Sequence, residues 1–307
     1  MAIIRTNLDT TINKDLLKEG GLRKLFDDTL GEAQVFYKEL VNDLTTKDEY
    51  VRDQQIAGLT LPSAIAEGQN IPIQAPVLGS AKTYTQGQSA TGFRMTWKMD
   101  FFNKYNLWKR WAKSLAKVMK EGKDIDVHLL FNTPLGTYTG FQSGEHLAEA
   151  AHTGLLAGSS TDSYSNYLDA GLSYSSLESA RYYFKTMKDS LGCLMSASPT
   201  HLVFEPTLYT TVQELLKSDL KPFEDSNTIN AFKGYGIKTY EDPRLTSTTM
   251  WFMIDKSDGY DINVFTSKEP DMVTQDAPDT TRDRIATSMQ AYSFGWGDAR
   301  KFYLGNG

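Results

Sequence analysis

Glu149 and His152 are the residues whose types and spacing come closest to a metal-binding or catalytic pattern. On a helix, Glu-x-x-His places a carboxylate and an imidazole on one face, where both can ligate a metal ion. Glu145 and His146 add two possible ligands. A dinuclear centre needs a second such motif, and no other histidine follows a glutamate by three residues. A metal-binding enzyme is therefore an alternative interpretation, and polar loop residues are the simpler one.

Three other groups of residues could do chemistry, and each has a simpler structural interpretation. His201 stands beside an apolar, strand-like run, which favours a hydrogen-bonded structural histidine over a general base. Asp298 and Arg300 could pair catalytically, but no nucleophile accompanies them, so we expect an ion pair at a sheet end or a subunit contact. Trp108 and Trp111 lie three residues apart on a predicted helix, where packing anchors are expected.

Sequence motifs of the common catalytic classes are missing from the chain. Gly122 and Lys123 are followed by Asp124 instead of Ser or Thr, and the upstream glycine of a phosphate-binding loop is lacking. No dinucleotide fingerprint or nucleophile elbow is present. The single cysteine, Cys193, excludes an intrachain disulfide, and its leucine neighbours predict a buried thiol. We therefore expect no catalytic residue, no cofactor and no metal.

Length and hydrophobicity indicate a folded protein outside the membrane. The 307 residues are 40% hydrophobic and can bury a sizeable core in one large domain or two smaller ones. No run approaches the roughly 20 apolar residues that span a bilayer. Residues Met1 to Thr10 lack the apolar core of a secretory signal. Synthesis and folding in a cytoplasm are expected.

The charge of the chain argues against a protein that coats nucleic acid. Its formal net charge is -6 and its pI is near 5.3, whereas phosphate binding relies on clustered Lys and Arg. The most basic stretch, Lys104 to Lys123, places its charges mostly on the polar side of a helix. Such runs predict a solvated face instead of a phosphate-binding stripe. Any contact with DNA is expected to be weak.

Residues 53–99 form a long stretch rich in Gly, Pro, Gln and Thr without a helix-length apolar face. A loop of that length is disordered or is ordered by something outside its own domain. Apolar and aromatic side chains recur through it, which disfavours disorder. The sequence therefore predicts an extended arm that packs on neighbouring subunits. Two strand-like runs within it, Asn70–Val77 and Gly92–Met99, predict a two-stranded hairpin.

Apolar periodicity predicts four helices around this arm. They cover the repeating apolar residues of 16–26, 35–44, 100–121 and 175–191. Asp100 is expected to cap the third, and Gly122 is expected to end it after roughly 30 Å. Ser175 and Glu178 match a capping box for the fourth, which Gly192 would close.

The second half of the chain alternates strand-like runs with turn residues. The run His201–Phe204 leads into Pro206, which suits the first turn of a helix. Further runs are bounded by Asp-Pro and Asp-Gly turns. They cover Gly236–Glu241, Thr248–Ile254, Tyr260–Thr266 and Ile285–Trp296. Together with the helices they indicate an α+β protein.

In this order, the elements resemble the major capsid proteins of tailed double-stranded DNA bacteriophages, and most closely their Mu-like head-subunit branch. The likeness spans most of the chain and is carried by the shared order of several segments. These are Ala57-Gly58-Leu59, Glu67 to Pro72, the Tyr84 region, Gly92 to Thr96, His152-Thr153-Gly154, Ser165-Asn166-Tyr167, Leu172-Ser173, Ser176-Leu177, Gly192, Pro199 to Pro206 and Asp298 to Gly305.

The resemblance implies the Hong Kong 97-type capsid fold and its division into regions. By this likeness, residues 1–50 are an N-terminal arm and residues 51–99 an extended β-hairpin loop. Residues 100–199 with 267–307 form a peripheral domain with a long spine helix, and residues 200–266 form an axial domain. Some members of this fold crosslink a loop lysine to an asparagine of an adjacent subunit. Lys82 is the only lysine between residues 48 and 97, but the asparagine and glutamate of that pattern find no match, so no crosslink is predicted.

The function implied by the resemblance is a structural one. The chain is expected to self-assemble into pentamers and hexamers of an icosahedral shell, the virion capsid, around double-stranded DNA. Implied partners are a portal and decoration proteins, and no membrane. Because the loop begins within about fifty residues of Met1, a fused scaffold is not expected. Either the chain is a processed form or a separate protein acts as the scaffold, and the presence of Met1 favours the second. A tail or adhesion component is a further alternative, which would form rings, tubes or fibres.

Overall fold

The computed structural model describes residues 19–56, 59, 61–75, 78–102, 105–136, 138–141, 144–152, 163–222, 228–277 and 280–307. Its helices are α1 (Glu19–Glu32), α2 (Trp97–Phe101), α3 (Tyr105–Asn132), α4 (Tyr174–Thr186) and α5 (Tyr209–Lys217). Its strands are β1 (Asn42–Thr45), β2 (Tyr50–Ile56), β3 (Leu78–Thr85), β4 (Gly87–Met95), β5 (Tyr167–Leu168), β6 (His201–Phe204), β7 (Lys238–Glu241), β8 (Trp251–Ile254), β9 (Ile262–Asp276), β10 (Arg284–Trp296) and β11 (Phe302–Gly305).

The strands form two main sheets and one separate hairpin. The first sheet has the order β1-β9-β10-β4, with β1 parallel to β9 and the other neighbours antiparallel. The second has the order β5-β11-β8-β6-β7. Within the described residues, β2 and β3 pair only with each other. This mixture of helices and sheets confirms the predicted α+β class.

Buried apolar side chains form three clusters. One lies where the C-terminal half of α3 meets both sheets, and in it the rings of Phe131 and Phe252 stack 5.3 Å apart. A second fills the space between α4, α5 and the second sheet, around Phe184 and Trp251. The third joins α1 and the N-terminal half of α3 to β4 and β10, around Trp108. Helix α3 thus connects two of the three clusters.

The first predicted helix is present as α1. Leu22 and Phe26 are buried, as their spacing predicts, and pack in the cluster around Trp108. Leu16 and Leu17, the first residues of that predicted pattern, lie outside the described residues.

The second predicted helix, over residues 35–44, is wrong. This segment forms a single 3-10 turn followed by β1. The backbone N–H groups of Phe36 and Tyr37 donate to Asp124 Oδ1, over 3.0 and 2.9 Å. Leu40 and Val41 are buried in the first cluster. Hydrogen bonds to a distant carboxylate and pairing with β9 thus replace the local hydrogen bonds of a helix.

Helix α3 is longer than predicted, because it continues through Gly122 to Asn132. Its 28 residues span about 42 Å. A Cβ at Gly122 would meet nothing within 4 Å. Val127, Leu130 and Phe131 carry the apolar stripe onward into the core. Burial of that stripe outweighs the cost of about 1 kcal/mol for a glycine inside a helix.

The predicted start of this helix at Asp100 is also wrong, because Asp100 lies inside the short helix α2. The Trp97 backbone N–H donates to Asp283 Oδ1 over 2.8 Å. Arg94 Nε donates to the other carboxylate oxygen of Asp283 over 2.9 Å. A carboxylate beside β10 therefore fixes the chain where β4 ends and α2 begins.

Helix α4 confirms the fourth predicted helix, but a different pair of residues caps it. Ser173 accepts a hydrogen bond from the Ser176 N–H over 3.2 Å, and the Ser173 N–H donates to Ser176 Oγ over 2.8 Å. The predicted pair of Ser175 and Glu178 is therefore wrong by two residues. The helix ends before Gly192, which adopts a φ of +85° in the following loop.

The strand-to-helix unit at His201 is confirmed. Strand β6 is completely buried, and Pro206 opens a 3-10 turn that leads into α5. Glu205 accepts a hydrogen bond from the Thr207 N–H over 2.8 Å at the start of this turn. Strands β7, β8 and β10 match the predicted runs, whereas β9 extends ten residues beyond the predicted end at Thr266.

An extended hairpin is present, but the predicted strands are wrong. Its strands are β2 and β3, which flank the predicted limb Asn70–Val77. Residues 70–75 form no strand, and Val77 lies outside the described residues. The other predicted limb is mostly β4, which pairs with β10 along its whole length. Its Phe93 and Met95 pack in the core cluster around Trp108 instead of in the loop.

The cap of α4 provides a test of the local fold. We expect Ser173→Ala to lower the free energy of unfolding by about 1 kcal/mol, because it removes the oxygen that accepts the Ser176 N–H. Glu178→Ala, at the residue that the sequence pattern indicates, should change it by less than about 0.5 kcal/mol. Urea unfolding of both variants measures the difference, and equal losses would contradict the observed cap.

Candidate assembly surface

The hairpin projects apolar side chains that the subunit leaves in contact with solvent. Residues 59 and 61–75 between β2 and β3 form no regular strand or helix. Ile73 is 95% exposed, and six further large apolar residues of the hairpin are also exposed. They are Ile56, Leu59, Leu61, Ile65, Ile71 and Leu78. Single exposed apolar residues are ordinary, but a contiguous set marks an interaction surface.

The hairpin strands gain little from burial within the subunit. In β2 half-buried and exposed residues alternate, and no residue of the strand is fully buried. An isolated two-stranded hairpin is only marginally stable in water. Its order therefore depends on its attachment at the base and on whatever covers its apolar residues.

Tyr84 anchors the base of the hairpin to the first sheet. Its side chain is buried, and its ring lies 5.1 Å from that of Phe265 on β9. A Cβ at Gly295 of β10 would stand 2.6 Å from Tyr84 Cε1. Only a glycine at position 295 leaves room for this ring, so β10 is shaped to receive the hairpin.

Lys82 forms the second anchor. Its Nζ donates to the backbone oxygens of Thr139 and Trp296, the latter over 3.3 Å. The ammonium also lies 5.1 Å from the ring centroid of Tyr84 and 5.8 Å from that of Trp296. The lysine for which no crosslink was predicted therefore holds the hairpin to its own subunit.

Two groups beside this anchor have pKa values shifted towards neutrality. Burial lowers the pKa of Lys82 to about 8, although the charge of Asp261 opposes the shift. Burial raises the pKa of Asp261 to about 7, and the charges of Asp53 and Asp298 add to it. The Asp298 N–H and Asn263 Nδ2 donate to Asp261, over 2.9 and 2.6 Å, and oppose that shift. We therefore expect the attachment of the hairpin to depend on pH near neutrality.

A second exposed apolar surface follows the C-terminal end of β4, which is an edge strand of the first sheet. Trp97, Phe101 and Phe102 are exposed, and the first two rings stack 4.9 Å apart. Beside them, β4 pairs on one side only within the described residues. A groove of about 190 Å³ runs between β4 and α3, with Phe93 and Trp111 in its lining. An uncovered strand edge next to exposed aromatic rings is suited to contact with another chain.

The structure does not place Glu149 and His152 on one helix face, because this segment is not helical. His152 is fully buried, with Nδ1 3.2 Å from Glu145 Oε2 and Nε2 3.0 Å from Asn166 Oδ1. Its ring stacks on Tyr164, so both ring nitrogens and one face have protein partners. Within the described residues, no group of three or more His, Cys, Asp and Glu side chains could hold a metal.

The structural interpretations of the other candidates are confirmed. His201 has a partner in Thr200 Oγ1, 2.8 Å from Nδ1. Arg300 is buried, and its Nη1 lies 2.9 Å from Asp298 Oδ2 in an ion pair. Trp108 and Trp111 both pack against the Phe93 ring, with centroids 6.4 and 5.5 Å away. The predicted buried thiol is wrong, because Cys193 is half-buried. Its neighbour Leu194 is 64% exposed.

Lys123 is the exception to the predicted solvated basic face. It is buried, and its Nζ donates to Thr266 Oγ1 over 2.7 Å and lies 3.8 Å from Asp43 Oδ1. Burial lowers the pKa of Lys123, and the charge of Asp43 opposes that shift. Lys104 lies outside the described residues. The remaining basic residues of the stretch are exposed or half-buried, as predicted: Lys109, Arg110, Lys113, Lys117 and Lys120.

His128 is a structural centre that the sequence did not reveal. It is buried on α3, with Nδ1 2.5 Å from the Asp124 backbone oxygen and Nε2 2.9 Å from Asp242 Oδ2. Asp124 also accepts the N–H groups of Phe36 and Tyr37, so the cluster joins the N-terminal segment, α3 and the turn after β7. Phe36 lies 88 residues from Asp124 along the chain, and His128 lies 114 residues from Asp242. No local pattern signals such distant partners.

The hydrogen-bond partners of His128 favour the protonated imidazole. Both partners of its ring nitrogens are acceptors, and a neutral imidazole can donate from only one nitrogen. Burial opposes the charge, but the hydrogen bonds to Asp242 and Asp124 outweigh it and raise the pKa of His128. The protonated form of His128 is therefore favoured at the centre of a buried junction between three parts of the chain.

Comparison with known structures identifies the class of fold. The capsid of the cyanophage P-SCSP1u has 10% identity and a TM-score of 0.59, covering 89% of this chain and 88% of that chain. The mature capsid of bacteriophage PhiM1 has 14% identity and a TM-score of 0.55, covering 89% and 87%. A virus-like particle from Pyrococcus furiosus has 10% identity and a TM-score of 0.53, covering 93% and 97%. These likenesses define the Hong Kong 97-type capsid fold.

A family model described as "Phage capsid protein" matches residues 80–304, well over half of the chain. The chain belongs to this family, and it is a structural major capsid protein of the tailed-phage type. The Mu-like branch stays a prediction. No curated protein matches the chain. Within the described residues, no helix is both long and apolar enough to cross a membrane.

The charged histidine gives a pH prediction with a definite sign. Because the folded pKa of His128 is raised above 6.5, its contribution to stability is fully present below about pH 6.5 and is lost as the pH rises through the folded pKa. We expect His128→Gln to lower the free energy of unfolding by about 1.5 to 3 kcal/mol at low pH and by less at high pH. Urea unfolding across pH 5 to 9 measures this, and a loss that is independent of pH would contradict the charged form.

Asp261 gives a second pH prediction. Its folded pKa of about 7 lies above its ordinary value of 3.8, so its contribution to stability falls as the pH rises from about 4 to 7. We expect Asp261→Asn to remove this part of the pH dependence of the melting temperature. Asp258→Asn, at an exposed carboxylate, serves as the matched control. If Asp261→Asn keeps the wild-type dependence of the melting temperature on pH, the carboxyl of Asp261 is not buried at the hairpin base.

Proposed function

We propose that identical copies of this chain assemble into pentamers and hexamers that close into an icosahedral phage shell around double-stranded DNA. The supporting observation is the apolar surface of the hairpin, which the subunit does not cover. Membership of the phage capsid family and likeness to capsid structures support the same proposal. The protein then acts by geometry, without a catalytic residue, cofactor or metal.

The proposal includes a division of the chain into four regions. We assign residues 1–50 to an N-terminal arm, residues 51–99 to the extended loop, residues 100–199 with 267–307 to a peripheral domain whose spine is α3, and residues 200–266 to an axial domain. In the last of these, Leu220 and Ile229 are exposed and form an isolated bridge between backbones. Two exposed apolar side chains at one place suit a contact between copies around a symmetry axis.

The hairpin is the element that links one copy to the next. Burial of an exposed isoleucine or leucine contributes about 1.5 to 3 kcal/mol, and ordering the loop offsets part of it. Each contact can therefore be weak, while many contacts in a closed shell add up to a stable particle. A scaffolding protein, a portal and decoration proteins are further partners that we propose for such a shell.

A shortened hairpin tests this function without damage to the core. Replacement of residues 57–77 by Asn-Gly would join Ile56 to Leu78, which already face each other across the hairpin, through a favourable two-residue turn. We expect a folded subunit with an unchanged circular dichroism spectrum that forms no shells. Deletion of the whole stretch 53–99 would be less informative, because it removes β4 from the first sheet.

Point variants make the test specific to apolar contact. Ile71→Asp with Ile73→Asp should abolish shells or reduce their yield at least tenfold, because a charge at a buried contact must be desolvated. Leu194→Asp, at an exposed leucine outside the hairpin, is the control and should assemble normally. Light scattering and negative-stain electron microscopy read both outcomes. Normal particles from the double variant would contradict the proposed role of the hairpin, and tubes or fibres from the wild type would indicate a tail component.

A further inference from the structure

The N-terminal half of α3 carries a basic stripe, which consists of Lys109, Arg110, Lys113, Lys117 and Lys120. Between Lys98 and Lys120, seven residues are Lys or Arg and Asp100 is the single acid. The chain as a whole has a net charge of -6. This concentration of positive charge runs against the composition of the rest of the protein.

The stripe lies on one side of the helix. At 100° per residue its five members fall within an arc of about 100°, and they cover about 16 Å along the axis. Arg110, Lys113 and Lys117 are exposed, and the other two members are half-buried. Leu115 and Met119 lie on the other side of the helix and are buried in the core. The charged groups of these side chains therefore lie on one solvent-facing side of the helix.

This arrangement does not stabilise the helix. Lys109, Lys113 and Lys117 repel each other at spacings of four residues. No Asp or Glu occurs between Lys109 and Lys120 to offset them. An ordinary solvated helix face mixes both signs of charge, so the stripe is better explained by an anionic partner.

Within the described part of the chain, the subunit offers the exposed stripe no counter-charge. Arg110, Lys113 and Lys117 form no ion pair with described residues, whereas the next acid on the helix, Glu121, pairs with Arg244 over 2.9 Å. Lys120, at the end of the stripe, donates to a backbone oxygen, that of residue 33, over 3.4 Å, and the charge of Glu269 acts on it. The positive charge of the stripe is thus available to a molecule outside the subunit.

We propose that the basic stripe binds the phosphate backbone of the packaged DNA without sequence preference, and so marks the face of the subunit that is turned to the interior. This inference rests on the proposed shell function. Duplex DNA carries one charge per about 1.7 Å of axis, so a stripe of about 16 Å faces about nine phosphate charges. Lys and Arg suffice for such contact, since phosphates carry no sequence information. The acidic remainder of the subunit keeps the contact weak and local.

The salt dependence of DNA binding tests the stripe. The test variant is Arg110→Gln, Lys113→Gln and Lys117→Gln, and the matched control is Lys47→Gln, Lys188→Gln and Lys217→Gln, which removes the same charge from exposed positions elsewhere. Fluorescence anisotropy of a labelled mixed-sequence duplex is measured with purified subunits over a range of salt concentrations. We expect the slope of log K against log salt to fall by about 0.9 for each phosphate that the stripe variant no longer neutralises. Equal slopes for the two triple variants would overturn the proposal.

Two further readouts separate this proposal from the shell function and from misfolding. The stripe variant should melt no lower than the wild type, because glutamine is a good helix former and the repulsion is removed. It should also form shells of normal diameter in the electron microscope. A stripe variant that forms no shells but keeps the wild-type salt slope would overturn the proposal in favour of a protein partner. A wild type that forms no shells would refute the shell function. The anisotropy measurement would still show whether the stripe binds DNA.

Discussion

The packing of β10 against β9, β4, helix α3 and the base of the hairpin is the constraint on which the rest of the structure depends. This strand pairs with β9 over most of its length and with β4 on its other edge. Gln290 on β10 donates to the Met119 backbone oxygen of α3 over 3.1 Å. Its glycine at position 295 leaves the space that the Tyr84 ring fills. One strand therefore joins the first sheet, the long helix and the base of the hairpin.

The subunit combines a closed core with surfaces that it cannot close. The three apolar clusters are completed by its own side chains, and His128 ties the N-terminal segment and the turn after β7 to α3. The hairpin, in contrast, is anchored at its base by Tyr84 and Lys82 and exposes residues such as Ile73. This division suits a protein that folds as a single copy and completes its burial when copies meet. In the same way, the basic stripe of α3 leaves positive charge available to a molecule outside the subunit.

The sequence predicts those elements whose pattern is local. Strand β6 with Pro206, helix α4 and strand β10 are all visible as periodicity or turn chemistry, and the apolar residues of 53–99 indicate an arm. Prediction fails where a distant partner decides the structure. Residues 35–44 have helical spacing but bind Asp124, and Gly122 does not end α3 because burial of the stripe beyond it outweighs the local cost.

The sequence predicts that an extended arm is present, but it does not predict which residues form the strands and the anchors of the hairpin. The alternation of Phe93, Met95 and Trp97 predicts a strand, but alternation alone does not say which sheet buries it. The true hairpin strands, β2 and β3, are largely polar and have no such signal. Lys82 stands out as the only lysine of the loop, but its backbone partners lie 57 and 214 residues away. Only the folded chain shows that it is an anchor.

Hydrogen–deuterium exchange of residues 61–75 in free subunits and in assembled particles measures whether the hairpin links one copy to the next. In the free subunit these residues lie outside regular strands and helices and carry exposed apolar side chains, so their amides should exchange within seconds. We expect strong protection of this segment in particles, because a neighbouring copy covers it. Equally fast exchange in both states would show that the hairpin is not what holds one copy to the next.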